Sequence, residues 1–207
     1  MSILAQILKY KIVAIIRGLP PEHVLDVARA LHTGGIRILE ITMNSKEPLN
    51  AIRDVADAMG DQMVIGAGTV LDGQMADDAV SAGARFILSP VLAQEVIQAA
   101  KERGVVAIPG AYTPTEIYAA YRSGADIVKV FPATSPAYIR DIAGPLPQVP
   151  LLPTGGINPQ NIREFLQAGA VGFGIGSALV DTKQPVTSRY LEQITDKARQ
   201  FVAAIAD

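Results

Sequence analysis

The stretch Lys11-Ile12-Val13-Ala14-Ile15-Ile16-Arg17-Gly18-Leu19-Pro20-Pro21 decides the fold class. Its first half is a short apolar run rich in β-branched residues, as expected of a strand buried on both faces. Its second half argues against an open doubly wound sheet. There the first strand feeds a glycine-rich phosphate loop, and Gly18-Leu19-Pro20-Pro21 is no such loop. Pro21 instead opens an amphipathic stretch over 21–33. Working outward, the same strand–loop–helix unit recurs along the chain. Strands are predicted over 11–17, 36–43, 63–69, 85–90, 105–112, 126–132, 151–156 and 170–177. Helical stretches lie between them, among them 46–59, 93–103 and 114–123. Glycines 34, 60, 83, 104, 124 and 169 fall where helices end and are expected to serve as left-handed caps. Alternation of this kind implies parallel strands joined by helical crossovers. Eight units without a linker predict one α/β domain over 1–207, a closed (β/α)8 TIM barrel near the small end of that fold's range. Ile3, Leu4, Ile7 and Leu8 add a short extra N-terminal helix over 2–9, expected to cover the N-terminal mouth. A last helix is expected over 187–206, with Tyr190, Ile194, Ala198, Phe201 and Ile205 on one face.

Composition narrows the function classes. Of 207 residues 49% are hydrophobic and 18% charged, a globular balance. Eighteen basic against 20 acidic residues give a net charge of -2, which offers no basic face to nucleic acid or to an anionic membrane. With no cysteine, thiolate metal sites and cysteine nucleophiles are excluded. No apolar run is long enough to span a bilayer, and the N-terminus lacks a signal-peptide pattern. A soluble, cytoplasmic protein is the expectation.

In such barrels the chemistry sits at the C-terminal ends of the strands. Reading those ends yields Arg17, Glu40 with Thr42, Thr69, Ser89-Pro90, Lys129, Thr154-Gly155-Gly156 and Gly176-Ser177. Lys129 lies in Asp126-Ile127-Val128-Lys129-Val130-Phe131-Pro132 and shares a face with Ile127 and Phe131. Desolvation there favours the neutral amine, the nucleophile that forms Schiff bases with carbonyl substrates. Glu40, on a face with Ile36, Ile38 and Thr42, would project into the same pocket as a proton carrier. A purely structural pairing of Glu40 with Lys129 or Arg17 is the plainer alternative. The glycine loops Thr154-Gly155-Gly156-Ile157-Asn158-Pro159 and Gly174-Ile175-Gly176-Ser177 stand where this fold usually holds a phosphate. Asn158-Pro159 reads as the cap and first residue of a helix, and Ala178-Leu179-Val180 as a short helical run. His23 and His32 fall in the first predicted helix, away from the strand ends, so neither a catalytic triad nor a metal cluster can be assembled.

With these residues in place, the chain resembles the KDPG/KHG aldolases, class I enzymes that act on 2-keto-3-deoxy-6-phosphogluconate or 4-hydroxy-2-oxoglutarate. The motifs that carry the likeness run nearly end to end: Ala14-Ile15-Ile16-Arg17, Leu39-Glu40-Ile41-Thr42, Ile65-Gly66-Ala67-Gly68-Thr69-Val70 and Leu88-Ser89-Pro90. They continue with Ile108-Pro109-Gly110, Lys129-Val130-Phe131-Pro132, Pro153-Thr154-Gly155-Gly156-Ile157 and Gly176-Ser177. The resemblance implies Lys129 as the Schiff-base lysine and Glu40 as the general acid/base. It implies Arg17 and Thr69 on the pyruvyl carboxylate, and Gly155, Gly156, Gly176 and Ser177 on the phosphate. Pro90, Phe131 and Thr154 are expected as further substrate contacts. It also implies a homotrimer, no metal and no cofactor beyond the covalent lysine imine, with a keto acid and an aldehyde phosphate as the small-molecule partners. Asn44 stands where some relatives carry arginine and resembles the galactonate-type members, whereas Thr154 resembles the gluconate type. The gluconate substrate is the favoured expectation, with the galactonate acid and 4-hydroxy-2-oxoglutarate as alternatives. A metal-free sugar-phosphate isomerase or epimerase, and a non-catalytic phosphate-binding barrel, are the rival classes.

Overall fold

The computed structural model describes residues 1–206. Strands β1 (Ile12–Ile16), β2 (Ile38–Thr42), β3 (Val64–Gly68), β4 (Phe86–Leu88) and β5 (Val106–Ile108) come first in the chain. They are followed by β6 (Gly110–Ala111), β7 (Val128–Val130), β8 (Leu151–Pro153) and β9 (Phe173–Ile175). The pairings within the strand orders β5-β4-β3-β2-β1-β9 and β6-β7-β8 are all parallel. Two bridges, Leu151 with Ala170 and Thr154 with Gly174, join β8 to the β9 segment. On the other side β5 and β6 are one barrel strand interrupted at Pro109, which has no N–H to give to a ladder. The Pro109 carbonyl still accepts a bond from the Lys129 backbone N–H at 2.9 Å. The sheet therefore curls into the expected barrel, with the predicted fifth strand split in two.

Side chains alternate between two apolar layers. Ala14, Ile16, Leu39, Ile41, Ile65, Ala67, Val128 and Val130 pack outward in the cluster that includes the helices. Val13, Ile38, Val64, Phe86, Val106, Ile127 and Leu152 fill the lumen together with Ile7. Helix α1 (Ile3–Tyr10) is started by the Ser2 hydroxyl, which accepts from Ala5 N–H at 3.2 Å. Ile3, Leu4 and Leu8 pack with Ile7 on the lumen cluster, so α1 plugs the N-terminal mouth as expected. Burial of Ile7 alone stabilises the plug by about 1.5–3 kcal/mol. With the N-terminal end closed, access to the lumen is left to the C-terminal end.

The crossover helices are α2 (Pro21–Thr33), α3 (Pro48–Met59), α4 (Gly73–Ser81), α5 (Gln94–Glu102), α6 (Pro114–Arg122), α7 (Pro136–Ala143) and α8 (Ile162–Gln167); α9 (Ser188–Ala204) ends the fold. Thr113 and Glu116 form a capping box on α6, and Asp72, Ser135 and Thr187 cap α4, α7 and α9.

Two of the expected left-handed caps are not left-handed. Gly34 and Gly60 have φ of -77° and -59°, and Gly35 at +100° takes the left-handed position after α2. Gly34 is required for proximity instead, since a Cβ there would lie 2.3 Å from Cβ of Ala198 on α9. Ile36 also departs from the expected Glu40 face and packs in the outer layer, because the chain still turns there, its N–H bonded to Leu31 O. Alternation holds only once β2 begins at Ile38.

Candidate active site

Counted around the barrel, β2 and β7 lie opposite one another, and both turn a charged side chain inward. Glu40 is fully buried and Lys129 is 3% exposed. The β-register places Glu40 between Ile15 and Gly66, and Lys129 between Gly110 and Leu152. A Cβ on Gly66 would run into the Phe86 ring and one on Gly110 into the Pro90 carbonyl, so neither neighbour can carry a side chain at this level. Among the described residues neither oxygen of Glu40 has a hydrogen-bond partner. Burial therefore raises its carboxyl above the ordinary range, and the opposing pull of Lys129 and then Arg17 only partly offsets this. A carboxyl so placed keeps its proton to higher pH than an ordinary glutamate, which suits a group that must give and take one. Nζ of Lys129 sits 5.2 Å from the centroid of the Phe131 ring, on the face shared with Ile127 as expected.

Beside this pair opens a cavity of about 620 Å³ at the C-terminal ends of β1, β8 and β9. Arg17, Phe131, Thr154, Gly155, Gly156, Gly176 and Ser177 all line it, so the two predicted glycine loops face one space. Phe131 belongs both to the wall and to the surroundings of Lys129, which joins the cavity to the buried pair. Thr154 is 6% exposed, and its Oγ1 has no hydrogen-bond partner.

Thr69 and Pro90 are not on the wall. Thr69 directly follows β3 with φ of +56°, a strained conformation for a β-branched residue and one more often kept at functional sites than elsewhere. The Pro90 carbonyl oxygen lies 2.4 Å from where a Cβ of Gly110 would stand, close against the break between β5 and β6. Beside Arg17, Gly18 N–H donates to Ser45 Oγ at 2.9 Å, and Ser45 Oγ lies 3.0 Å from Oγ1 of buried Thr42.

Both loops are more irregular than the sequence suggests. Gln160 and Asn161 N–H groups donate to Oδ1 of Asn158, at 3.0 and 3.1 Å, yet α8 begins only at Ile162. Asn161 turns back instead, its amide accepting from Asn158 N–H and donating to Gly156 O, both at 2.9 Å. The predicted helical run at 178–180 is a single turn, with Leu179 and Val180 N–H groups both donating to Gly176 O. Sequence reasoning also missed Asp181, Thr182 and Lys183, which line the cavity from a loop between β9 and α9. Their only signal was their position just past Gly176-Ser177.

Among the described residues no group of three His, Cys, Asp or Glu side chains gathers where a metal could sit, and no helix is long and apolar enough to cross a membrane.

The chain matches the family model "KDPG and KHG aldolase" over residues 3–196. It is 37% identical to the KHG/KDPG aldolase of Escherichia coli (strain K12), over 87% of this chain and 85% of that one. It is 34% identical to the 2-dehydro-3-deoxy-6-phosphogalactonate aldolase of the same organism, over 95% of both chains. Among solved structures it superposes, at TM-score 0.84 and 30% identity over 96% and 97% of the chains, on the KDPG aldolase of Legionella pneumophila. That structure holds pyruvate captured as a covalent carbinolamine intermediate. These likenesses displace the isomerase and the non-catalytic barrel as readings. The chain belongs to the KDPG and KHG aldolase family, and it is an aldolase, a carbon–carbon lyase.

Proposed function

We propose that this aldolase reversibly cleaves a 2-keto-3-deoxy-6-phospho sugar acid to pyruvate and glyceraldehyde 3-phosphate, with the gluconate epimer preferred. The observation that carries the reading is the opposition of Glu40 and Lys129 in one lumen, beside a cavity walled by two glycine loops. Lys129 and Glu40 are the catalytic residues. Arg17 and Thr69 hold the carboxylate, Pro90, Phe131 and Thr154 contact the carbon chain, and Gly155, Gly156, Gly176 and Ser177 receive the phosphate.

In the reaction, the lone pair of Lys129 Nζ adds to the C2 ketone. Glu40 delivers the proton that lets the carbinolamine lose water as a protonated imine. Glu40, now ionised, removes the C4 hydroxyl proton directly or through water. The C3–C4 bonding electrons flow into the imine, and C4 departs as the aldehyde. Protonation of the enamine at C3 and hydrolysis of the imine release pyruvate and restore Lys129. The chemistry needs no metal or added cofactor, because the lysine imine is itself the electron sink.

Thr154, a cavity-wall residue that resembles the gluconate type and whose buried Oγ1 has no partner among the described residues, supports the gluconate epimer. A second reading, the galactonate epimer, has in its favour Asn44 and the E. coli relative named for that acid. The family's homotrimer fits the exposed Leu71 (51%), Val91 (55%) and Tyr112, which follow adjacent strands β3, β4 and β6. The test is pyruvate release from each C4 epimer of the phosphorylated acid. Faster release from the gluconate epimer is expected; release from neither epimer overturns the reading.

A further inference from the structure

The phosphate-binding groups named so far are neutral: backbone N–H groups of glycine loops and the Ser177 hydroxyl. A phosphate carries about -1.5 to -2 charge near pH 7, and in a binding site such charge is ordinarily met by a cation. Among the described residues two cationic side chains line the cavity, Arg17 and Lys183. Arg17 follows β1 and its field reaches Glu40, and the function proposed above gives it to the substrate carboxylate. Lys183 stands on the loop after β9, six residues beyond Ser177.

That loop is built rather than loose. The Tyr190 hydroxyl, buried on α9, donates to Asp181 O at 2.8 Å and accepts from Asp181 N–H at 2.7 Å. Burial pushes this phenol up, so it stays a neutral donor. Among the described residues Asp181 is the one carboxylate on the cavity wall, and its oxygens turn into its own loop. Oδ1 accepts from Lys183 N–H at 3.1 Å and Oδ2 from the Gln184 amide at 3.4 Å. Gln184 N–H closes the turn on Asp181 O at 3.1 Å. Among the described residues the Lys183 ammonium has no hydrogen-bond or ion-pair partner, so its charge is available to a ligand.

We propose that Lys183 is a specificity-determining residue that recognises the substrate phosphate, presented to the cavity by a turn that Tyr190 pins to α9. The proposal rests on the phosphorylated-substrate reading above, and one experiment separates the two. Aldol addition of pyruvate is measured with glyceraldehyde 3-phosphate and with glyceraldehyde, on wild type, Lys183→Met and Lys183→Arg. The kcat/KM preference for the phosphorylated aldehyde is expected to fall about tenfold in Lys183→Met, mainly through KM, and to be largely kept in Lys183→Arg. Added salt should narrow the gap between wild type and Lys183→Met, since an exposed cation is screened. Lys183 is exposed and its side chain bonds to nothing, so folding of the methionine variant is not at stake. A wild-type preference that survives unchanged in Lys183→Met overturns the role of Lys183 alone. A wild type with no preference overturns the phosphate reading and this proposal together.

Discussion

A Cβ on Gly68 would lie 1.7 Å from Oε1 of Glu40 and 2.3 Å from its carboxyl carbon. The Glu40 carboxylate thus occupies the space that a side chain on β3 would fill, and the bare backbone at Gly68 sets where the proton carrier stands. Gly68→Ala is expected to evict the carboxylate and lower kcat about 100-fold or more, the usual worth of a positioned acid–base group. The check is steady-state cleavage beside a thermal melt that confirms folding. A folded Gly68→Ala enzyme with wild-type kcat would break the link.

Glu40→Gln keeps the shape and removes the proton. Its kcat should fall about 10²- to 10⁴-fold. Stability should move the other way above the ordinary carboxyl range. Because the Glu40 carboxyl is raised in the fold, the folded state holds a proton that the unfolded state releases. Wild-type stability therefore declines as pH rises from about 4.5, the ordinary glutamate value, through the raised folded value. Denaturant melts across that window should show a shallower decline for Glu40→Gln. Parallel curves for the two proteins would contradict the raised carboxyl.

Thr154 offers a test in which stability and specificity change together. Its buried Oγ1 is unpartnered, so Thr154→Val should add about 1 kcal/mol and raise Tm by about 2–4 °C. The same substitution should lower the ratio of gluconate to galactonate cleavage. A variant whose ratio stays at the wild-type value would remove Thr154 from the choice of epimer.

Ser45 connects the β1 and β2 ends through its bonds to Gly18 and Thr42, and so fixes the backbone next to Arg17. Ser45→Ala should raise KM for the keto acid about 3- to 10-fold with kcat nearly intact, and Ser45→Thr should restore it. An equal loss in kcat would point to general disorder of the site.

The residues that were legible in the sequence are those whose placement follows from local period. Lys129, Ile127 and Phe131 share a face because β alternation alone puts them there, and the glycine loops meet because both end strands at one mouth. What escaped the sequence is set by contacts distant along the chain. Gly34 is a glycine because α9 packs against it, which no cap rule reveals. The turn carrying Lys183 is fixed by Tyr190, a residue whose period marked it only as core. The break at Pro109 needed the missing N–H to be weighed inside an apolar run that otherwise reads as one strand. The unpartnered state of Glu40 likewise depends on what the opposite strands leave empty.

The central claim is that Lys129 Nζ forms a covalent imine with pyruvate, and borohydride trapping tests it most directly. Mass spectrometry of the wild-type protein after incubation with pyruvate and borohydride should show a gain of about 72 Da on Lys129, absent from Lys129→Ala, which should also have no aldolase activity. No adduct on folded wild-type protein at several pH values, or wild-type turnover by Lys129→Ala, would contradict the account.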